Sequence, residues 1–329
     1  MLKYFLKPGV LANKIRKFTG KLLFGKKNKG YDHTDNIARK FWEVNPNAAY
    51  QNQWIENPII ASQVYYRMSG GHSHKYWLSW LLEDYFAGKR FKRMLSPGCG
   101  VGDHEIIVAK SGVVDEIDAF DFSDSSIGIA KDKAEKLGLQ INFYNDNLDT
   151  FVIPDGRRYD LVLCTGSVHH VKELERFFAM IHNVLDSDGY FVINEYVGEC
   201  YNIYSKKQVD IINRMLSCFP QEMRSSDKDK FQNDTLSNRI AIDPSESVRS
   251  KFILPLLKNY FDIEVKHPFG GCILHPLYPY LKADKFMNGE VETSVLLKLL
   301  LEFEAILMDY QFLESDFVLC ISRPKRYEV

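Results

Sequence analysis

From residue 92 to residue 196, short apolar runs alternate with longer runs whose apolar positions recur at helical spacing. This alternation predicts strands separated by helices. The predicted strands are 92–96, 115–121, 141–144, 158–164 and 189–196, and, further along the chain, 261–266 and 316–322. The predicted helices are 103–111, 124–137, 173–185 and 291–310. Because alternating strands and helices form βαβ units, the chain is predicted to fold as an α/β domain around a parallel sheet.

The pattern changes on both sides of this region. Residues 36–90 predict two or three helices rich in aromatic side chains, and residues 199–260 predict a polar, helical insertion. Within the insertion, Asp243, Pro244 and Glu246 fit the N-cap, N1 and N3 positions of a helix. A helix is therefore expected to start at this point of the insertion.

The net charge of −1 is unevenly distributed along the chain. Residues 1–30 carry nine Lys and Arg residues and no Asp or Glu, so the remainder has 33 basic against 43 acidic residues, a balance of −10. Apolar residues at helical spacing make this first segment amphipathic; they are Leu11, Ile15, Phe18 and Leu22. Such a segment is typical of peripheral contact with an anionic membrane, here through residues 1–29, and packing on the body or a frayed terminus are the other interpretations. The acidic body argues against nucleic acid as a partner.

Composition and cysteine usage favour a cytoplasmic protein. The chain is 45% hydrophobic and 26% charged, which is ordinary for a globular protein. No apolar run reaches the length of about 18 residues that spans a bilayer. The six cysteines form no CxxC pair, so reduced, buried thiols are expected. His72 and His74 form an HxH pair without a third ligand at metal spacing, and no metal site is predicted.

A glycine-rich segment, L-S-P-G-C-G-V-G at 95–102, follows the first predicted strand. Glycines between a strand and a helix let a cofactor approach the main chain and its free N–H groups. A nicotinamide-binding loop has the pattern G-x-G-x-x-G, and Asp103 stands where its third glycine would be. Asp121 comes 19 residues after Gly102, at the end of the second strand. It is placed to accept hydrogen bonds from ribose hydroxyls in either of two cofactor classes, the dinucleotides and S-adenosylmethionine.

Later segments separate these two cofactor classes. A polar turn, N-D-N-L at 145–148, follows the third predicted strand, and T-G-S-V-H-H-V at 165–171 follows the fourth. With the glycine loop and D-F-S at 121–123, these segments resemble the class I S-adenosylmethionine-dependent methyltransferases over residues 90–197. The resemblance implies a Rossmann-like, mostly parallel sheet of seven strands whose last strand is antiparallel. An N-terminal helical cap and a helical insertion after the fifth strand are expected in addition.

The implied organisation has five parts. They are a basic amphipathic arm at 1–30, a helical cap at 31–90, a core that binds S-adenosylmethionine at 91–198, a helical insertion at 199–260, and strands and a helix at 261–329 that complete the sheet. The insertion is expected to form the acceptor pocket or a lid over it.

The resemblance also implies the residues of the cofactor site. They are Ser96, Gly98, Cys99, Gly100 and Gly102 at the amino-acid part, Asp121 and Phe122 at the ribose, Asp146 and Asn147 at the adenine, and Thr165 at the methionine end. The family often has an acidic residue at the position of Ser96, where it helps to hold the cofactor's ammonium group. Ser96 offers only a neutral acceptor, and His104 and Glu105 are the nearby candidates to compensate.

His169 and His170 are the candidate catalytic residues, because they follow the fourth strand and histidine titrates near neutral pH. His169 is favoured as the general base or acceptor-orienting group, with His170 as its competitor. The alternative is that both side chains only shape the loop. Glu195 is a second candidate, and Arg249 is expected to form a surface ion pair rather than to bind the acceptor.

The predicted function is methyl transfer from S-adenosylmethionine by in-line displacement. The acceptor would be a small molecule, a glycan or a lipid-linked compound, modified at oxygen or nitrogen. The residues after the fourth strand lack the prolines typical of enzymes that methylate exocyclic base nitrogens, which argues against DNA as the substrate. A nicotinamide-dependent oxidoreductase and a non-catalytic partner protein with this fold remain as alternatives, and the oligomeric state stays open.

Overall fold

The computed structural model of the protein describes residues 33–44, 46, 53–153, 156–225 and 230–326. The predicted basic arm at 1–30 lies outside the described residues. Of the helices in the described ranges, none is long and apolar enough to span a membrane.

Seven strands form one mixed sheet. They are Phe91–Pro97 (β1), Val114–Asp121 (β2), Asn142–Asn145 (β3), Tyr159–Thr165 (β4), Leu185–Tyr196 (β5), Phe261–Gly270 (β6) and Phe317–Pro324 (β7). Their order across the sheet is β3-β2-β1-β4-β5-β7-β6. The pairings among β1 to β5 are parallel, and β7 is antiparallel to both of its neighbours. The predicted fold class, a Rossmann-like sheet of seven strands with an antiparallel last strand, is confirmed.

Helices cover the sheet and extend it. They are His33–Val44 (α1), Pro58–Met68 (α2), Trp77–Trp80 (α3), Asp103–Ser111 (α4), Asp124–Lys136 (α5), Leu174–Val184 (α6), Lys206–Ser217 (α7), Leu236–Ile242 (α8), Ile253–Tyr260 (α9), Leu274–Leu277 (α10), Ala283–Met287 (α11) and Val291–Asp309 (α12). A π-helical turn at Leu81–Tyr85 continues α3, and short 3₁₀ turns include Val168–His170 and Ser250–Phe252.

The core lies on both faces of the sheet, which explains why the middle of the central strand β4 is apolar. In β4, Leu161 and Leu163 belong to the apolar cluster on one face, whereas Val162 and Cys164 belong to the cluster on the other. The first cluster is covered by helices that include α2 and α12, and the second by α6 and α9. A parallel strand that is buried on both faces has few polar positions, so periodicity of two residues is not seen in its sequence.

The predicted core elements are confirmed, with different extents for two strands. β5 begins at Leu185 rather than at 189, because Leu185 already pairs with Tyr159 ahead of a bulge. β6 ends at Gly270, whereas its predicted end was residue 266, because the strand still pairs with β7 beyond Pro268. Irregular pairing of this kind leaves no clear pattern in the sequence.

The helix predicted to start at Asp243 is wrong. Residues 244–249 form turns, and helical structure resumes only at Ser250. The Asp243 carboxylate does accept a hydrogen bond from the Ser245 N–H at 2.9 Å, as an N-cap would. Ser247, however, has a φ of +51°, which a right-handed helix cannot contain.

Polar contacts join α1 of the cap region to α5 of the core. Glu43 accepts hydrogen bonds from the backbone N–H groups of Asp124 and Ser125 at 2.7 and 2.9 Å, so it caps the N-terminus of α5. Arg39 forms an ion pair with Asp124 at 2.6 Å. This part of the cap is therefore held to the core mainly by polar groups at the surface.

Candidate active site

A cavity of about 150 Å³ lies at the carboxyl ends of β1, β2 and β4. In open α/β sheets this edge is where ligands bind. The wall of the cavity includes nine of the predicted site residues: Ser96, Gly98, Cys99, Gly100, Asp121, Phe122, Asn147, Thr165 and His170. It also includes residues that the sequence did not single out, namely Asp35, Ala38, Trp42, Lys172 and Ser245. Gly102, Asp146 and His169, which were predicted too, lie outside this wall.

The three glycines of the loop have different surroundings. Gly98 has a φ of +71°, and a Cβ there would come within 2.5 Å of Ser167. Gly100 donates its N–H to the Asp121 carboxylate at 2.9 Å. A Cβ on Gly102 would lie 2.9 Å from Ala130 of α5, so this glycine allows close helix packing behind the cavity. That packing explains why Gly102 does not reach the wall.

The polar turns after β2 and β3 are connected to each other. The Asp146 N–H donates to the Asp121 carbonyl at 3.1 Å, and the Asp146 carboxylate accepts from the Asn147 N–H at 2.8 Å. Burial raises the pKa of Asp121, although its oxygens accept hydrogen bonds from Ser123 and Gly100. Asn147 is the residue of the second turn that lines the cavity.

Glu105 is a buried acidic residue of the cavity wall with a raised pKa. It is 2% exposed, and its Oε1 accepts a hydrogen bond from the Ser96 hydroxyl at 2.5 Å. Its Oε2 is buried and has no hydrogen-bond partner in the described part of the chain. Burial raises the pKa of Glu105 to about 7, even though the Ser96 hydroxyl lowers it. The neighbouring His104 also lines the cavity, and burial lowers its pKa to about 4, so it carries no charge at neutral pH.

His169 is held by Glu195 at the end of β5. Its Nδ1 donates to Glu195 Oε2 at 2.8 Å, while Glu195 Oε1 accepts from the N–H groups of Ser167 and Val168, both at 2.6 Å. Burial alone would lower the pKa of His169, but the Glu195 carboxylate and its hydrogen bond raise it to about 9. His169 is thus an imidazolium at neutral pH, which does not suit the general-base role favoured from the sequence.

His170 lies in the cavity wall. Its Nδ1 is 3.2 Å from Ser245 Oγ, and that hydroxyl donates to the Asp243 carboxylate at 2.7 Å. The Ser245 oxygen therefore accepts a hydrogen bond from the Nδ1–H of His170, and in the neutral ring this tautomer leaves the lone pair on Nε2. Burial and the adjacent His169 lower the pKa of His170. Trp42 of α1 packs edge-on against the ring of His170, with 5.4 Å between the ring centres.

Glu246 joins these two histidines from the insertion. Its Oε2 lies 3.9 Å from Nε2 of His169 and 3.9 Å from Nε2 of His170. Burial would raise the pKa of Glu246, but the two histidines lower it to about 2. In the sequence Glu246 was assigned only to a helix start, and its 76-residue separation from His170 gave no sign of this contact.

Side chains of α1 form one side of the cavity wall. Asp35 of α1 pairs with Lys172 at 2.6 Å, and both residues line the cavity. Arg249 lies apart from it and makes a two-point ion pair with Glu175 at 2.7 Å, as the sequence predicted. All six cysteines are free thiols.

Comparison with known proteins bears directly on this site. Residues 95–193 match a family model described as a methyltransferase domain. This segment is a class I S-adenosylmethionine-dependent methyltransferase domain. The predicted family, enzyme class and cofactor are thereby confirmed for the domain, and the nicotinamide alternative loses its support.

Individual relatives match only part of the chain. A ubiquinone biosynthesis O-methyltransferase of Coxiella burnetii (strain RSA 493 / Nine Mile phase I) is 32% identical over 85 residues, which cover 26% of this chain and 35% of that protein. A demethylmenaquinone methyltransferase of Thermus thermophilus is 24% identical over 133 residues, covering 38% of this chain and 60% of that protein. The chain thus spans about a third of the length of the Coxiella relatives that it matches. A solved S-adenosylmethionine-dependent methyltransferase from Mesorhizobium loti aligns with 75% of this chain and 97% of its own, with 15% identity and a TM-score of 0.43.

Proposed function

We propose that the protein transfers a methyl group from S-adenosylmethionine to an oxygen or nitrogen of an acceptor bound in this cavity. The observation that carries the proposal is the buried, unpaired Glu105 Oε2 in a cavity formed by the glycine loop and the ends of β2 and β4. An unpaired buried carboxylate oxygen costs stability. A cationic ligand group would remove that cost, and the amino-acid part of S-adenosylmethionine carries an ammonium.

The remaining wall residues fit the other parts of this cofactor. Gly98 leaves space at the main chain where any side chain would collide with Ser167. Asp121 and Asn147 offer hydrogen-bonding groups to the ribose and the adenine, and Thr165 has a buried Oγ1 without a hydrogen-bond partner within the described ranges. We propose the predicted residues of the wall as the cofactor contacts, with Glu105 in place of the acidic group that Ser96 lacks. Gly102 and Asp146 would support the site from behind.

The chain's own residues position the acceptor and exclude water. When bound, S-adenosylmethionine supplies an electrophilic methyl group on a sulfonium sulfur. Trp42 and Ala38 cover one side of the cavity and keep water out, while the ion pair of Asp35 with Lys172 holds this cover closed. Holding an acceptor atom in line is the main source of rate in such a displacement.

We propose that His169 and His170 serve the acceptor side of the reaction. His170 lies in the wall, and its Nε2 is free of the Ser245 contact. His169 contributes through the charge and position of its ring beside His170, with 4.2 Å between the two ring centres. In this proposal the pair orients the acceptor hydroxyl or amine and favours loss of its proton.

A small molecule with a hydroxyl group is the proposed acceptor, within a class that includes glycans and lipid-linked compounds. The Coxiella relative is named as an O-methyltransferase of ubiquinone biosynthesis, which supports an oxygen acceptor. The acidic body does not favour nucleic acid. Reduced cysteines support a cytoplasmic location, with peripheral membrane contact through residues 1–29 as a further proposal.

The test is a transfer assay with methyl-labelled S-adenosylmethionine and a panel of phenols, catechols, hydroxylated lipids, glycans and amines. The expected result is label in at least one acceptor, together with stoichiometric S-adenosylhomocysteine. His170→Ala should lose this transfer and still bind S-adenosylhomocysteine. Transfer that is unchanged in both His170→Ala and His169→Ala would remove the histidines from the mechanism.

A further inference from the structure

Three potential ligand atoms converge beside the cofactor cavity. His169, His170 and Glu246 each offer one ligand atom, and these three atoms all lie within 4.8 Å of one another. Ligand atoms on one divalent metal ion at about 2.1 Å are about 3.0–3.4 Å apart. The separations of 3.9 Å from Glu246 to each histidine are therefore within a small side-chain rotation of that geometry.

The other nitrogen of each imidazole is already occupied. Nδ1 of His169 donates to the buried carboxylate of Glu195 at 2.8 Å, and Nδ1 of His170 contacts Ser245 at 3.2 Å. Metal-binding histidines almost always donate their second N–H to a carboxylate or another acceptor, which fixes the tautomer and aims the lone pair at the ion. Both rings here have that arrangement, and the Nε2 atom of each ring lies 3.9 Å from Oε2 of Glu246. A metal ion would bind His169 with displacement of the proton from its Nε2.

Hydrogen bonds also orient the carboxylate of Glu246. Its Oε1 accepts hydrogen bonds from Asn202 at 3.0 Å and from the Ser247 hydroxyl at 2.8 Å, so Oε2 is the oxygen that faces the histidines. The backbone around it is strained, because Tyr201, Asn202 and Ser247 all have positive φ values between +51° and +58°. Strained residues cluster at functional sites, where the surrounding structure enforces them.

We propose that His169, His170 and Glu246 bind one divalent transition-metal ion at the acceptor end of the cavity. Two imidazoles and one carboxylate are a donor set for Zn²⁺, Fe²⁺ and Co²⁺ rather than for Mg²⁺ or Ca²⁺, which prefer oxygen ligands. Three protein ligands leave coordination positions open, as catalytic metal sites require. This site was not foreseen from the sequence, where the third ligand lies far from the histidine pair.

The role of the ion rests on the proposed function, whereas its binding does not. His170 is shared between the metal site and the cavity wall, so an ion here is adjacent to the place of the acceptor. A hydroxyl bound to the ion loses its proton to solvent water more readily, because the cation stabilises the oxyanion. The two histidines then act on the acceptor through the ion rather than as free bases.

The experiment is titration of the full chain, stripped with chelator, with Co²⁺ and with Zn²⁺. Calorimetry should give one site per chain with a dissociation constant in the micromolar range or below, and Co²⁺ should develop the visible absorption of a protein-bound ion. Glu246→Gln and His170→Ala should each weaken the binding of both ions at least tenfold. Glu195→Gln should weaken it by about 10- to 100-fold through the orientation of His169.

Two controls make the result decisive. His72→Ala removes an exposed histidine outside the site and should leave the Co²⁺ affinity unchanged. S-adenosylhomocysteine binding, measured in the presence of chelator, reports whether each variant is folded and whether the proposed function stands. If the wild-type chain binds S-adenosylhomocysteine but neither ion, or if Glu246→Gln binds Co²⁺ as well as wild type does, the metal site is refuted while the methyltransferase proposal survives.

Discussion

Replacing Glu105 by Gln tests whether the Glu105 carboxylate binds the ammonium group of the cofactor. In the free protein, burial raises the pKa of Glu105 from 4.5 to about 7. In the unfolded chain this group has a pKa near 4.5. Its effect is therefore to lower the free energy of unfolding as the pH rises from 4.5 to 7, with no further change above pH 7. The loss at pH 7 amounts to about 3 kcal/mol. Glu105→Gln is therefore expected to raise the free energy of unfolding at pH 7 by up to this amount and to change it little at pH 4.5, as measured by urea denaturation.

The same substitution should have the opposite effect on ligand binding. An ammonium group beside Glu105 Oε2 favours the ionised carboxylate, so affinity for S-adenosylhomocysteine should rise as Glu105 ionises. For the wild-type protein we expect affinity about five- to tenfold higher at pH 7.5 than at pH 6.0. Glu105→Gln should bind more weakly at pH 7.5 and lose this pH dependence. Calorimetry at the two pH values measures both quantities.

Controls separate the ammonium contact from general electrostatics. Methylthioadenosine lacks the amino-acid part, so its affinity should depend neither on Glu105 nor on this pH range. Asp103→Asn removes a half-exposed carboxylate from the same turn of α4. Because the charge of Asp103 is a minor cause of the raised pKa of Glu105, S-adenosylhomocysteine affinity at pH 7.5 should change by less than about twofold. Asp121, the other acidic group that acts on Glu105, stays in place in both variants. If Glu105→Gln binds S-adenosylhomocysteine as tightly as wild type does, with the same pH dependence, the ammonium is held elsewhere and the reasoning fails.

Three further changes probe the cavity. Gly98→Ala should lower S-adenosylhomocysteine affinity more than tenfold, because the new Cβ would collide with Ser167. The control is Gly112→Ala, at a glycine with a similar φ but open space around it. This variant should lose about 1–2 kcal/mol of stability and bind S-adenosylhomocysteine as wild type does. His170→Ala should keep S-adenosylhomocysteine affinity within about twofold while turnover falls by about 10²- to 10⁴-fold, as loss of a group acting on the acceptor proton predicts. Asp35→Asn breaks the ion pair with Lys172 and should speed cofactor dissociation several-fold in stopped-flow measurements. We expect little change in stability because both side chains remain partly exposed to solvent. An unchanged dissociation rate would show that α1 does not close the cavity.

The central sheet was predictable because its elements are local and regular. Within β4, Leu161–Cys164 are all apolar because both faces of the strand are buried, and α6 has a strong apolar face over Leu174–Val184. The ends of β5 and β6 were harder to predict, since a bulge and continued pairing with β7 decide them. Such features depend on the neighbouring strand and not on the run itself.

The residues of the candidate site also differ in how far the sequence predicts them. The glycine loop and Asp121 were identifiable because the spacing of strand ends brings them to one edge of the sheet. The sequence does not indicate the contact between Glu246 and His169, because that contact depends on a turn in which Ser247 has a positive φ. In the sequence, the residues of this turn resemble the start of a helix. Trp42 is one of many aromatic residues in the predicted helices of 36–90, and nothing in the local sequence indicates that α1 lines the cavity.

Every role proposed above depends on the binding of S-adenosylmethionine in the cavity bounded by Gly98, Asp121 and Glu105. Calorimetric titration of the full chain with S-adenosylmethionine, S-adenosylhomocysteine and NADH tests it most directly. We expect micromolar binding of both sulfur compounds at one site per chain and no binding of NADH. Binding of NADH, or failure to bind either sulfur compound, would contradict it.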